Sequence, residues 1–448
     1  MSTLFNIGNK IVSSDTELTP LSFSPTLYVK PPQGDEEVGE SGSLYTFNPA
    51  NGFNFSVQRP SGDDSGKKYV LGKDGLIYEV PENTPAFEYN PDGSYKGILV
   101  EPSATNLILQ SEDFSDTWST QGAAVATNTT LAPDGETTAD TLTGNGTNTN
   151  VHVQQAITFP SAGTYTFSFF AKAGTHDIIR VNIANYDFST SNITGYELTN
   201  NGTTTIPSNP ITAVGNGWYR IQFSFEVVSG DLSGQIRIFV PPSAGTTSWS
   251  NAADNNGKSV ILWGAQLEKS PIATSYIPTE GNQVIRVADD ISLTGASSLI
   301  GQKNTGGTLF VDVDWRLTTG TTQRLLSASD GTNNNRIQIF NDGGSVELRM
   351  LAQANGGSIE MNQGVLSSGF SGIQKFAFAY ADADFELYRN GSSISTYTIG
   401  SLASLATLTD VNFGANFDGG DQANMWIRAV ALYDRRLTNT ELAKLTSL

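Results

Sequence analysis

The 448-residue chain contains no cysteine and only two histidines, His152 and His176. Without thiols there are no disulfides, no cysteine nucleophile and no Cys-ligated zinc, haem or iron–sulfur centre. Two histidines make a histidine-based metal enzyme a poor reading. Neither stands near a nucleophile-elbow sequence, and His152 alternates with Val151 and Val153 as an ordinary strand residue does. Basic side chains are scarce as well. Lys plus Arg number 25 against 44 Asp plus Glu, a net charge of -19, and such an excess opposes long contact with phosphate backbones. No nucleic-acid partner is expected. No run of 18 apolar residues occurs, and the opening MSTLFNIGNKIVSSD is too polar for a secretion signal, so membrane insertion is not expected either. A role outside the producing cell would then require assembly into a particle, or lysis.

What the chain does have is 45 Gly, abundant Thr, Ser and Asn, 38% hydrophobic residues and only 15% charged ones. Turn-rich β-structure solvated by uncharged polar groups needs this mixture. The charge is uneven: residues 1–295 carry 14 basic and 30 acidic side chains and 296–448 carry 11 and 14, with a change of texture near Asp289-Asp290 that marks a boundary.

Residues 1–45 show little periodicity, four prolines (Pro20, Pro25, Pro31, Pro32) and the acidic cluster Asp35, Glu36, Glu37, Glu40. They read as an extended arm ordered only against a partner, or as a frayed terminus. Deleting such an arm should leave the thermal transition nearly unchanged. Residues 46–100 carry turn signals at short intervals around short apolar stretches such as Lys68-Tyr69-Val70-Leu71, the pattern of a small β-rich module. From 101 to about 290, period-2 segments recur without helical patterns. Tyr165, Phe167 and Phe169 fall on one strand face, and Trp218–Phe225 alternates the same way, which argues a two-sheet sandwich. Residues 296–448 repeat the texture with new strands, an Asn390-Gly391 hairpin signal and a closing helix whose Thr438 and Glu441 form a capping box. The fold class is all-β: tandem β-sandwiches after an extended arm and a small module.

Separated motifs then occur in a recognisable order. Asp74-Gly75-Leu76-Ile77, Phe87-Glu88-Tyr89-Asn90 and Gly97-Ile98-Leu99-Val100-Glu101-Pro102-Ser103-Ala104-Thr105-Asn106-Leu107 open it. Ala132-Pro133-Asp134-Gly135 and Gly217-Trp218-Tyr219-Arg220 follow. Leu262-Trp263-Gly264-Ala265-Gln266-Leu267-Glu268, Thr274-Ser275-Tyr276-Ile277-Pro278, Arg286 and Asp289 close it. This stretch, about residues 54–290, resembles a module of bacteriophage tail-fibre, head-fibre and spike-like structural proteins, in which it leads into a carbohydrate-binding-module-like jelly roll. Residues 296–448 resemble the concanavalin-like or laminin-G-like lectin domains that often follow it, through Arg324-Leu325-Leu326-Ser327, Asp330-Gly331 and Leu432-Tyr433-Asp434-Arg435-Arg436-Leu437.

The resemblance implies a virion surface protein, assembled in the host cytoplasm and commonly homotrimeric. It would be a fibre or spike subunit docked through residues 1–45 on other virion structural proteins and meeting bacterial surface polysaccharide. A capsid decoration or cement protein is the alternative. No enzyme is expected. A glycosidase needs two carboxylates about 5–9.5 Å apart across a groove, and sandwich patterning gives none of the acidic residues a privileged spacing.

Exposed aromatics with neighbouring amides and carboxylates are the groups that hold sugars weakly, at strengths multivalency amplifies. Tyr186 and Trp249 lie in loop patterns, as stacking surfaces or as lids folded over a sandwich end. In the second sandwich the polar loops around Asn334, Asn355 and Phe417-Asp418-Gly419-Gly420-Asp421 are the candidates, with Phe417 as the stacking ring or tucked into the core. This sandwich is farthest from the arm and nearly balanced in charge, which favours it for host recognition. No cofactor is required, although folds of the kind resembled often hold a structural calcium. Asp113 with Glu268, and Asp330 in the second sandwich, are its candidate ligands, unless Glu268 pairs with a basic side chain or caps a turn.

Overall fold

The computed structural model describes residues 64–448 apart from the segments 147–150, 185–192, 199–202, 205–209, 231, 242–254, 317–320, 344–346 and 366–371, and, among the first 63, residues 27–29 and 55–59. Within them the structure is all-β, with a 3-10 turn at Asp64–Gly66 and one α-helix, Asn439–Leu445. Two sandwiches stand in tandem, as the alternating patterns indicate.

The first is built from two six-stranded sheets. One runs, in spatial order, Ile211–Gly215, Trp218–Val227, Gly163–Ala173, Ser259–Glu268, Ala139–Gly144, Ala123–Thr130. The other includes His152–Thr158, Ile178–Ala184 and Ser233–Phe239. Tyr165, Phe167 and Phe169 point into the interior beside Ile221, Phe223 and Phe225, as period 2 requires. The opposite face of the same strand is buried too, because Phe170 packs with Leu71, Ile77, Trp218, Trp263 and Tyr276 beneath the hairpin Lys68–Leu71 and Ile77–Val80. Each such side chain taken out of water contributes about 1.5–3 kcal/mol.

The second sandwich places two long sheets around a core that includes Trp315, Phe376, Phe378 and Phe413. On the outer face of one sheet, Ala377, Ala379, Ala429 and Ala431 are small enough to seat the terminal helix through Leu437, Leu442 and Leu445. Thr438 and Glu441 form the expected capping box.

Chain connectivity differs from the linear division read from the sequence. Phe55–Gln58 pairs with Asp290–Leu293 at the edge of one sheet of the second sandwich. Phe87–Tyr89 and Tyr95–Val100 extend the other sheet, in register Met425↔Val100, Trp426↔Leu99, Ile427↔Ile98. Residues 46–100 are therefore no separate module: their strands complete the second sandwich while their hairpin covers the first. Leu27–Val29 pairs with the far end of Met425–Tyr433, in register Leu27↔Leu432, so part of the presumed arm belongs to this sheet. Short local patterns identify strands but not distant partners, because the pairing contacts are separated by hundreds of residues.

At the crossing of these connections lies a fully buried charge cluster. Arg59 Nη1 meets Asp289 at 2.8 Å, Lys68 Nζ bridges Asp289 and Glu101, and Arg286 Nη1 lies 3.2 Å from Glu101, with all these side chains at most 1% exposed. The remaining donors and acceptors are largely met: Arg59 donates to the carbonyls of Gly66, Pro81 and Thr84, Lys68 to that of Leu99, and Ser275 donates its N–H and hydroxyl to Glu101 at 2.8 and 2.7 Å. Burial alone would raise both carboxyls. Lys68 and Arg286 override it at Glu101, and Lys68, Arg59 and Arg286 at Asp289, so both are held below the usual carboxylate range.

Two outcomes follow from this connectivity. A chain lacking residues 1–45 loses the strand 27–29, so urea unfolding should show a loss of about 1–3 kcal/mol, the scale of a few ladder hydrogen bonds; a chain lacking only 1–26 should unfold like the full protein. This replaces the expectation that removing the arm is neutral. Glu101→Gln leaves buried cations uncompensated and should cost about 3–5 kcal/mol at neutral pH. A depressed carboxylate contributes stability fully above its unfolded pKa of about 4 and loses it as pH falls through the lower folded value. The difference in melting temperature between wild type and Glu101→Gln should therefore be largest at neutral pH and shrink below about pH 4.

Candidate functional site at the junction of the sandwiches

The motif residues between Glu101 and Asp289 build the junction. Asn106 donates to the carbonyls of Ala265 and Ile277 and accepts from the N–H groups of Ile108 and Leu267. Gln266 accepts from Ile277 N–H and donates to Glu268, which also accepts from the N–H and hydroxyl of Thr274. This lattice fixes the segment 270–276 against the strand Ala104–Asn106, and a cleft of about 750 Å³ opens beside it, between the two sandwiches.

The first sandwich lines the cleft with Lys269 and Thr274, the connecting strand with Ser103 and Thr105, and the second sandwich with Thr322, Gln422 and Asn424. Hydroxyls and amides predominate among these polar groups. Gln422 donates its Nε2–H to the Asp289 carbonyl, tying the cleft wall to the charge cluster. Its Oε1 and the Oδ1 of Asn424 are buried without a hydrogen-bond donor among the described residues. An orphaned buried acceptor costs about 1–3 kcal/mol.

The candidate residues of the second sandwich separate to opposite ends. Asp421 lies at the cleft, where it accepts from Nε and Nη2 of Arg324 at 3.1 and 2.9 Å. Phe417, in the same loop, is half-buried, and Asp418 is exposed and caps Gly420 N–H. Asp330, Asn334 and Asn355 gather at the other end of the strand Gln323–Ser329, roughly 17–20 Å away at ~3.3 Å per residue. There Asp330 accepts from Thr332 and from Asn335 Nδ2, the carbonyl of Asn334 accepts from Gly356 N–H, and Asn355 N–H donates to Asn335. They cannot form one site with Phe417 and Asp421. Tyr186 and Trp249 lie outside the described residues.

The proposed calcium pair is not assembled. Asp113 Oδ1 caps a turn by accepting from Ser115 and Asp116, whereas Glu268 is buried among Thr274 and Gln266, where burial pushes its carboxyl up. Among the described residues no group of three or more His, Asp and Glu is arranged to hold a metal. Sequence reading missed Ser103, Thr322, Gln422 and Asn424, since single polar residues at strand ends carry no pattern of their own. Lys68 and Glu101, charged residues inside apolar runs, were a visible signal of a buried network.

No family model matches the chain, and no curated protein matches it. Among solved structures, the Ruminococcus gnavus IT-sialidase CBM40 aligns over 33% of this chain and 85% of its own, at 16% identity and a TM-score of 0.28. The same module bound to alpha2,3 sialyllactose aligns over 32% and 84%, at 16% identity and 0.28. The botulinum neurotoxin serotype G binding domain aligns over 35% and 40%, at 12% identity and 0.29. By description these are a sialidase's carbohydrate-binding module and the binding domain of a neurotoxin.

Proposed function

We propose that the protein is a structural component of a bacteriophage particle surface, a homotrimeric fibre or spike subunit, that binds host cell-surface glycan in the cleft between its two sandwiches. The observation that carries the binding role is the pair of buried donor-less amide oxygens, Gln422 Oε1 and Asn424 Oδ1, on two residues of the wall of a cleft of about 750 Å³ in which Ser and Thr hydroxyls stand among proline and other apolar side chains. Sugars are dense in hydroxyl donors, and amide acceptors on a rigid wall meet them without ordering cost. Assignment to a phage particle, and to a trimer, rests on the motif order in the sequence alone. Weak single-site binding suits a trimer, because repeated sites on one appendage multiply avidity.

The test uses labelled full-length protein on an array of bacterial surface polysaccharides, with its mass measured in solution. A trimer of 47.8 kDa chains that binds a subset of the array is expected. Ser103 is exposed at the cleft, so Ser103→Trp should reduce binding at least tenfold while melting at the wild-type temperature. Asn334→Ala at the far end should bind normally. Loss of binding in Asn334→Ala with full binding by Ser103→Trp would move the site to the distal loops.

A further inference from the structure

The segment 270–276 has a second opening on its other side. A cavity of about 110 Å³ lies between the outer face of the first sandwich, the strand Tyr95–Val100 and Arg316, with Ala273 and Ser275 in its wall. Three cations line it: Lys96, Arg220 and Arg316. Among the described residues none of them has a carboxylate within 4.0 Å. Lys96 Nζ and Arg316 Cζ lie over the ring of Trp426, 3.4 and 3.9 Å from its centroid. The backbone comes this close at Gly97, where a Cβ would stand 2.6 Å from that of Trp426.

Few of the cationic donors are used. Arg316 gives one N–H to the Ala273 carbonyl, and Arg220 gives one to Ser168 Oγ at 3.1 Å. Arg220 Nε is buried with no acceptor among the described residues. The nearby carboxylates are committed elsewhere: Glu88 accepts from Trp426 Nε1 at 2.6 Å, and Glu101 is held by Lys68, Arg286 and Ser275. A guanidinium offers five donors in a fixed fork that matches a carboxylate. Here two such forks and an ammonium line a space whose wall also holds Glu88 and Glu101, both of them already engaged by those other donors and neither within 4.0 Å of the three cations. Burial accordingly pulls Lys96 and Arg220 down from their usual pKa.

We propose that this crevice is a carboxylate-binding site, formed by Lys96, Arg220 and Arg316, that takes the acidic group of a hexuronic-acid sugar. The volume equals roughly three to four waters at ~30 Å³ each. That admits the carboxylate and the carbon bearing it, leaving the sugar ring outside against the exposed Pro91 and Thr212. Charge-assisted, forked hydrogen bonds then replace the unmet donors. The site is distinct from the 750 Å³ cleft; only the identity of the carboxylate's carrier rests on the glycan-binding reading.

The experiment titrates the full-length protein with methyl glucuronide, methyl glucoside and acetate at one ionic strength, following melting temperature and heat of binding. Methyl glucuronide should raise the melting temperature and give a saturable heat, and methyl glucoside should do neither. Acetate as effective as the glucuronide would uphold carboxylate recognition and make a free carboxylate the natural occupant. Arg220→Met and Lys96→Met should each weaken the glucuronide at least tenfold. Arg220→Met should melt no lower than wild type, because the removed group has a single neutral hydrogen-bond partner. Ser103→Trp should respond to glucuronide as wild type does, which separates this site from the cleft: a retained response with no polysaccharide binding anywhere would sink the cleft and spare the crevice. An equal response to the glucoside, an equal rise with sodium chloride, or an undiminished glucuronide response in both Met variants would overturn the proposal.

Discussion

Everything at the centre of this molecule hangs on the five-residue charge cluster of Arg59, Lys68, Glu101, Arg286 and Asp289. Its members come from five separate places in the chain, and each anchors a different piece: the edge strand Phe55–Gln58, the covering hairpin, the strand Tyr95–Val100, the returning strand Val284–Arg286 and the entry to the second sandwich. Ions of this kind are a poor source of net stability, since desolvation consumes most of the Coulomb gain. Their value here is orientation. A hydrophobic contact of equal area would tolerate sliding, whereas three cations facing two carboxylates at 2.5–3.2 Å, with carbonyl and hydroxyl partners filling most of the remaining valences, accept one arrangement.

Because that junction is fixed, faces that sandwich folds normally leave to solvent become interior. Trp218, Trp263 and Trp426 are all buried, yet none belongs to the core of either sandwich. They fill the space between the first sandwich, the hairpin and the strand Tyr95–Val100. The hairpin serves both sides, with Leu71 and Ile77 toward Trp263 and Val70 and Val80 toward Leu99 and Trp426.

The same contrast explains what could be read from the sequence. Alternation in Gly163–Ala173 and Trp218–Val227, the capping box at Thr438 and the Asn390-Gly391 turn, whose residues both have positive φ, are local features, and each is legible. Burial on both faces of a strand is also written locally, in the adjacent Phe169 and Phe170, but the partner covering the second face is not. Nothing near Val100 announces pairing with Met425. The motif over about residues 54–290 is legible as a unit, and Glu268 within it invites two readings, a metal ligand or a carboxylate that pairs with a basic side chain or caps a turn. Its partners, Thr274 and Gln266, show it acting within the polar lattice instead. The candidate loops divide into two groups for a geometric reason: polar loops alternate between the two ends of a sandwich, so residues alike in composition fall on opposite ends of one strand.

Both openings at the junction share the segment 270–276, and this has a consequence for binding. Thr274 faces the larger cleft while its N–H and hydroxyl hold Glu268; Ser275, one residue on, faces the smaller crevice while holding Glu101. The segment is pinned from within by two buried carboxylates, so its walls are set before any ligand arrives. A shallow site gains little energy from contact area, and what it cannot afford is to spend that gain on ordering its own backbone. Walls fixed by buried charges rather than by a loop's own contacts meet that condition, and they present hydroxyl-lined and cation-lined surfaces in constant relation to each other. A branched or charged polymer that touches both at once meets the second as an intramolecular event, at an effective concentration set by the short distance between them.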